Sequence, residues 1–214
     1  GKPATSALST NFKPTGLYAS MPNYPARGDI ASAKALLDSA GIKPDANGVR
    51  IRAILDLIPY GEDWRRAGEY LKQVLGDIGI KLELRYEDVP TWLKRIYHNY
   101  DFVMNVNYFY QLPDPVLGVH RHYGTDQIRK GTHFVNSSRY SNSELDELLA
   151  SGATEANAQK RTQIYKKIQE ILARDMPVVN LFELQFLTVY NTKLKGAYNS
   201  ALGAYASFSE AYLD

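Results

Sequence analysis

Val49-Arg50-Ile51-Arg52-Ala53-Ile54-Leu55-Asp56-Leu57-Ile58, closed by Pro59-Tyr60-Gly61, is the stretch that decides the architecture. Val49, Ile51, Ala53, Leu55 and Leu57 recur at every second position, the side-chain period of a strand, and the Pro-Tyr-Gly turn ends it. Beyond that turn, Glu62 and Asp63 suit the positive end of a helix dipole. Trp64, Ala67, Leu71, Val74, Leu75 and Ile78 then repeat at helical spacing as far as Gly79. Alternation returns at once, with Ile80, Leu82, Leu84 and Tyr86 facing one way and Lys81, Glu83, Arg85 and Glu87 the other. A strand, helix and strand of these lengths form a parallel crossover unit. A short helix capped by Asp88, with Pro90 in its first turn and Leu93, Ile96 and Tyr97 on its inner face, leads to a third strand over 101–106. The pattern predicts an α/β fold with a β-α-β-α-β core.

Upstream, residues 1–28 hold Pro3, Pro14, Pro22 and Pro25 without a sustained period and read as an extended connector. Asp29 is placed to cap a helix whose inner face is Ala33, Leu36, Leu37 and Ala40, with Gly41 as its stop. Downstream, Ser141 and Glu144 have capping-box spacing before Leu145, Leu148 and Leu149. A longer helix carries Ala158, Ile164, Ile168, Ile171 and Leu172 up to Met176-Pro177, where proline forbids continuation. Two apolar runs, 178–182 and 186–190, read as strands, and the tail beyond Asn191 has weak periodicity.

Composition excludes several kinds of chemistry. With 25 Lys and Arg against 23 Asp and Glu among 214 residues, the net charge of +2 does not suit a protein that coats a polyanion. There is no cysteine, so disulfides, thiolate metal sites and a cysteine nucleophile are absent. No apolar run approaches the roughly 20 residues of a membrane-spanning helix. The motifs of serine-hydrolase elbows, phosphate-binding loops, dinucleotide folds and zinc peptidases are also absent. His120-Arg121-His122 is the one tempting metal pair, with His98 and His133 elsewhere; the surrounding sequence does not read as a strand, so surface histidines and no metal site are expected.

In an open α/β sheet, ligands sit beyond the carboxyl ends of the strands. The first strand delivers Tyr60 there. The third delivers Asn105-Val106-Asn107-Tyr108-Phe109-Tyr110-Gln111-Leu112-Pro113-Asp114-Pro115. Three successive aromatics cannot all face one core, and the interleaved amides and carboxylate can read a polar ligand. Tyr60, Tyr108, Tyr110, Gln111 and Asp114 are the candidate ligand-binding residues. The structural alternative has Tyr108 or Phe109 packing the sheet edge and Asp114 capping the next turn.

Several stretches together resemble a known family. Asp29-Ile30-Ala31-Ser32-Ala33-Lys34-Ala35-Leu36-Leu37-Asp38-Ser39-Ala40-Gly41 resembles the D-x-x-x-A-K-x-L-L-x-x-A-G segment of the family 5 extracellular solute-binding proteins, the peptide, nickel and opine receptors of ABC importers. Leu71 through Ile80 resembles the family's helix that ends in glycine before a strand, and 101–115 its strand ending in an aromatic and Asp-Pro. Asn136 through Tyr140, Asn142, Asp146, Leu148 and Leu149 are similar to its N-x-x-x-Y-x-N-x-x-x-D-x-L-L segment, and Arg161, Tyr165, Ile168, Gln169, Ile171, Leu172 and Pro177 to its R-x-x-x-Y-x-x-I-Q-x-I-L-x-x-x-x-P segment.

The resemblance implies the C-terminal lobe of a two-lobed, type II-like periplasmic binding protein. Residues 1–28 would connect from an N-terminal lobe outside this sequence, 29–190 would form the lobe, and 191–214 the return segment. A start without an initiator Met or export signal fits such a fragment. The implied function is non-enzymatic capture of a solute, an oligopeptide first, between two lobes in the periplasm, and its delivery to a membrane permease without a cofactor or nucleic acid. An opine, a sugar conjugate, or a nickel complex through His120 or His122 is the alternative ligand; a hydrolase using Asp114 is the alternative class. The aspartate that holds a peptide's amino terminus in family members aligns with Gln111, and the arginine for a dipeptide's carboxylate aligns with Ile58, so the charged contacts to a free dipeptide are missing.

Overall fold

The computed structural model describes residues 1–21, 28–185, 188–197 and 207–214. The chain divides into two compact units: Gly1–Tyr24, Tyr110–His120 and Asn142–Asp214 form one, and Pro25–Phe109 with Arg121–Ser141 the other. This partition differs from the expected connector, lobe and return segment.

In the first unit, β1 (Lys2–Pro3) pairs antiparallel with β5 (Phe182–Glu183). The first 21 residues are not an extended connector. Ser6, Ala7, Leu8, Phe12, Leu17 and Met21 are buried, and Thr10–Thr15 forms a 3-10 helix. The buried side chain of Gln169 holds this segment: its amide nitrogen donates to the Leu17 carbonyl, and its oxygen accepts from Ser6 Oγ and the Ala19 N–H. Gln169 lies on α6 (Ala158–Asp175), which packs on α5 (Ser143–Thr154); Leu145 and Leu149 of α5 and Tyr165, Ile168 and Leu172 of α6 are buried. The α5 cap is Asn142, one residue beyond the expected Ser141, because its side-chain oxygen accepts the Leu145 N–H. Of the apolar run 178–182, only Phe182 enters a strand; 186–190 falls partly outside the described residues. Leu194–Lys195 and Tyr212–Leu213 form the antiparallel pair β6–β7.

The second unit is the predicted α/β core. β2 (Ile51–Leu57) is central, paired in parallel with β3 (Ile80–Arg85) on one side and β4 (Met104–Val106) on the other. α2 (Glu62–Gly76) connects β2 to β3, burying Gly68 against Leu57. α3 (Val89–Leu93) is capped by Asp88 and continues as a π-helical turn over Lys94–Asn99, burying Trp92, Ile96 and Tyr97. α1 (Ile30–Ser39) forms behind its Asp29 cap as expected, but its apolar face is not an inner one: Leu36 is 69% exposed, and no residue of the helix is buried. Its C-terminal end is tied down by Arg50, whose guanidinium donates to Asp38 at 2.6 Å.

Candidate ligand-binding site

The strand order β3-β2-β4 puts the two outer strands on opposite sides of the first, so the chain leaves the sheet in opposite directions around the carboxyl end of β2. Such a switch point opens a crevice that backbone loops line but do not fill. Two loops meet at this one. Ile58-Pro59-Tyr60 leaves β2, and Gly61, at φ +107°, makes a bend that a Cβ would strain. Asn107-Tyr108 leaves β4. Asn107 is oriented on both sides: its amide nitrogen donates to the Tyr97 hydroxyl at 2.6 Å, and its oxygen accepts the Tyr108 N–H at 2.8 Å. Burial of Tyr97 pushes its phenol up, so it stays protonated at any physiological pH.

Three rings converge here. Tyr60 meets Tyr108 edge-on with centroids 5.9 Å apart, and Trp64, in the first turn of α2, stacks on Tyr108 at 5.5 Å and 23°. Trp64 and Tyr108 rest on a floor of Ile58, Trp92, Ile96, Tyr97 and Val135. Tyr60 remains 40% exposed. The result is a rigid aromatic wall, with large apolar area, two phenol hydroxyls and an indole N–H within one loop cluster.

The other candidate residues, Tyr110, Gln111 and Asp114, lie in the first unit. Gln111 braces its own unit: its oxygen accepts the Ser9 N–H and its nitrogen donates to the Ala7 carbonyl, both at 2.7 Å. Both Asp114 oxygens accept from Arg161 Nη2, at 2.9 and 2.8 Å, and Oδ1 also accepts the Val116 N–H. Asp114 thus caps the 3-10 turn Pro115–Leu117, as in the structural alternative. Tyr110 is 49% exposed in that same unit. Ile58, aligned with the family's carboxylate-binding arginine, is a core residue. Phe109 packs on His122 with ring centroids 3.8 Å apart.

His120 and His122 lie on α4 (Val119–Tyr123), where a spacing of two points side chains to different faces. His122 is buried, not on the surface, and desolvation pushes its imidazole down to about 3, with the Arg121 cation adding to the effect. Among the described residues, no group of three or more His, Cys, Asp or Glu is arranged to hold a metal ion. A shallow, open depression along α2 is lined by Glu69, Tyr70, Lys72 and Gln73.

Trp64 is the wall residue that sequence periodicity assigns to the core. The signal that would have found it is its position: the first helical turn after a β-strand faces the carboxyl end of the sheet.

Residues 1–129 match the family described as Bacterial extracellular solute-binding proteins, family 5 Middle. The chain is 24% identical over 151 residues to the peptide transport periplasmic protein SapA of Haemophilus influenzae, covering 69% of this chain and 26% of SapA. AppA from Clostridium difficile superposes on all of this chain and 42% of its own, with a TM-score of 0.74 and 26% identity. The ABC transporter substrate binding protein CtaP from Listeria monocytogenes gives a TM-score of 0.66 at 28% identity over 81% of this chain and 33% of CtaP. The chain therefore spans between a quarter and a half of the length of these relatives. No helix among the described residues is long and apolar enough to cross a membrane. A family match over more than half of the chain, on a parallel sheet with an aromatic wall at its switch point, makes this chain a member of the family 5 bacterial extracellular solute-binding proteins.

Proposed function

We propose that this chain supplies one ligand-binding wall of a peptide receptor that works outside the cytoplasm and hands its ligand to an ABC permease. The observation that carries the reading is the wall of Tyr60, Trp64 and Tyr108 at the carboxyl ends of β2 and β4. A peptide offers such a wall its side chains and planar amide faces, which rings cover at little entropic cost. SapA is named for peptide transport, and CtaP for ABC-transporter substrate binding.

The residues aligned with the family's charge-bearing positions, Gln111 and Ile58, are engaged in packing and bracing, which favours contacts along a peptide over recognition of both free termini. Capture without chemistry follows the same logic: the wall holds no nucleophile, base and orienting group in one cluster. Ligand would stabilise a closed receptor only by the difference between its affinities for closed and open forms.

The test is native mass spectrometry of the whole receptor after exposure to a defined pool of di- to pentapeptides, an opine and a mannose oligosaccharide. Retention of peptides is expected, with Trp64→Ala and Tyr108→Ala each weakening it by roughly tenfold, since a stacked ring contributes about 0.5–1.5 kcal/mol beyond its buried area. Retention of the opine or the sugar in place of peptide would overturn the substrate class. Unchanged peptide affinity in both variants would remove the wall from the site.

A further inference from the structure

His98 and His133 are 35 residues apart in sequence and face each other in the second unit, with Nε2 to Nε2 at 3.4 Å and ring centroids at 5.5 Å. We infer that they form a two-histidine binding site for Zn2+ or a similar borderline divalent ion, independent of the peptide reading.

The distance carries the inference. Two imidazole nitrogens bound to one tetrahedral Zn2+ at about 2.0–2.1 Å stand about 3.3–3.4 Å apart, and their rings then lie about 5 Å from each other. For a hydrogen bond between two imidazoles 3.4 Å is long, since N–H donors prefer about 2.9–3.0 Å to their acceptors. The centroids are separated by more than the nitrogens, so the Nε2 edges point inward, toward the place an ion would take.

The backbone that carries both rings is anchored. His98 sits in the π-helical turn Lys94–Asn99, and such turns recur at functional sites because they aim a side chain out of helical register. The Gly131 N–H donates to the Tyr97 carbonyl at 2.8 Å, which docks the loop before His133 onto that turn. Gly131, at φ +86°, also lies against the His98 ring: a Cβ there would come within 3.3 Å of Cε1 and 3.5 Å of Nδ1. On the other side, Arg121 Nη2 donates to the His133 carbonyl at 3.1 Å, and the Tyr97 ring lies 5.9 Å from the His133 imidazole.

The chemistry sets the class of ion. Imidazole suits Zn2+, Cu2+ and Ni2+ over Mg2+ or Ca2+, and the tetrahedral separation favours Zn2+ among them. With two protein ligands, the remaining coordination positions belong to water or to a group the ion carries with it. The Arg121 cation nearby opposes a divalent ion, so binding is weaker than at a structural zinc centre with three or four protein ligands.

The test uses the full chain without an affinity tag, titrated with Zn2+ against a chromophoric chelator. One equivalent is expected to bind, with His98→Ala and His133→Ala each weakening it at least tenfold while His120→Ala leaves it unchanged. Because His98 is exposed, its variant should also keep the unfolding midpoint of the parent. In the parent, proton resonances of His98 and His133 should shift together on adding Zn2+, ahead of those of His120 and His122. The inference is overturned if no stoichiometric Zn2+ binding occurs, if either the His98 or the His133 variant retains parental affinity, or if the other histidines respond first.

Discussion

Asp56 has no exposed surface, and its carboxylate accepts from Arg85 through Nε at 2.6 Å and Nη2 at 2.8 Å, with Arg95 behind at 3.9 Å. A buried charge in such a pair is worth little by itself but costs much when its partner is lost. Asp56→Asn should leave the guanidinium facing a neutral amide and lower unfolding free energy by about 3 kcal/mol, the low end of the range for buried pairs because Arg85 is partly exposed; a midpoint within error of the parent would refute this. His122 supplies a pH dependence. Its folded-state pKa is pushed down to about 3, below the ordinary 6.5, so the unfolded chain binds the proton that the folded chain refuses. Stability from this group is complete above pH 6.5 and is lost as pH falls from there toward 3, with a slope of up to about 1.4 kcal/mol per pH unit. Denaturant titrations at pH 7.5, 5.5 and 4.5 should show a shallower decline for His122→Leu than for the parent; parallel declines would place the titration elsewhere. These side chains also show what a sequence withholds. Tyr60 and Tyr108 are legible as wall residues because strand ends can be located from periodicity. Gln111 and Asp114 are not, because an amide or a carboxylate reads the same whether it faces a ligand or braces the chain, and only Ser9, Ala7 and Arg161 at hydrogen-bond distance decide.

The helix α2 is positioned by the absence of a side chain. A Cβ on Gly68 would lie 2.5 Å from Leu57 Cδ1 and 2.8 Å from Cδ2, and Leu57 is itself buried on the central strand. Alanine gains roughly 1 kcal/mol of helix propensity over glycine, but overpacking a core costs about 1–3 kcal/mol. Gly68→Ala should therefore destabilise by about 1 kcal/mol in the parent and stabilise in a Leu57→Ala background, where the space exists. A double-mutant cycle without that change of sign would show that the helix shifts freely on the sheet. The elements β2, α2 and β3 are readable because their apolar periods of 2 and 3.6 are long and uninterrupted. α1 is readable as a helix but not as a partnered one, since amphipathicity gives the face and not what covers it. The region between β4 and α5 has no period. It is ordered instead by single polar anchors such as Asn136, whose amide nitrogen donates to the carbonyls of Tyr123, Gly124 and Tyr140. That interaction gives the N-x-x-x-Y motif a physical reason: the asparagine closes a loop on the tyrosine's own carbonyl.

The family motifs at the two ends of the helical segment likewise prove to be scaffold. Arg161 of the R-x-x-x-Y-x-x-I-Q motif pairs with Asp114 of the Asp-Pro motif and also donates to the Gly152 carbonyl at 2.9 Å, while Gln169 of the same motif holds the buried stretch around Ser6 and Leu17. All of these lie in the unit that contains α5 and α6, whereas the aromatic wall, the histidine pair and the Asp56 network lie in the unit that contains the sheet. Each unit has its own buried side chains, so each should open as its own cooperative block. Native-state hydrogen exchange tests this directly. Arg161→Ala leaves the Asp114 carboxylate without the Nη2 donor that its two oxygens share and removes the tie to Gly152; it should speed exchange of amides in α5, α6 and residues 6–21 by roughly tenfold, the effect of about 1.4 kcal/mol, and leave those of β2 and β3 unchanged. Asp56→Asn should produce the reverse pattern, with β2 and β3 exchanging faster and α6 unaffected. If either variant accelerates both sets together, the chain opens as a single block, and a lesion in the scaffold motifs would then weaken ligand binding through stability alone. If the patterns separate, loss of binding in a Trp64 variant can be read as loss of the wall itself.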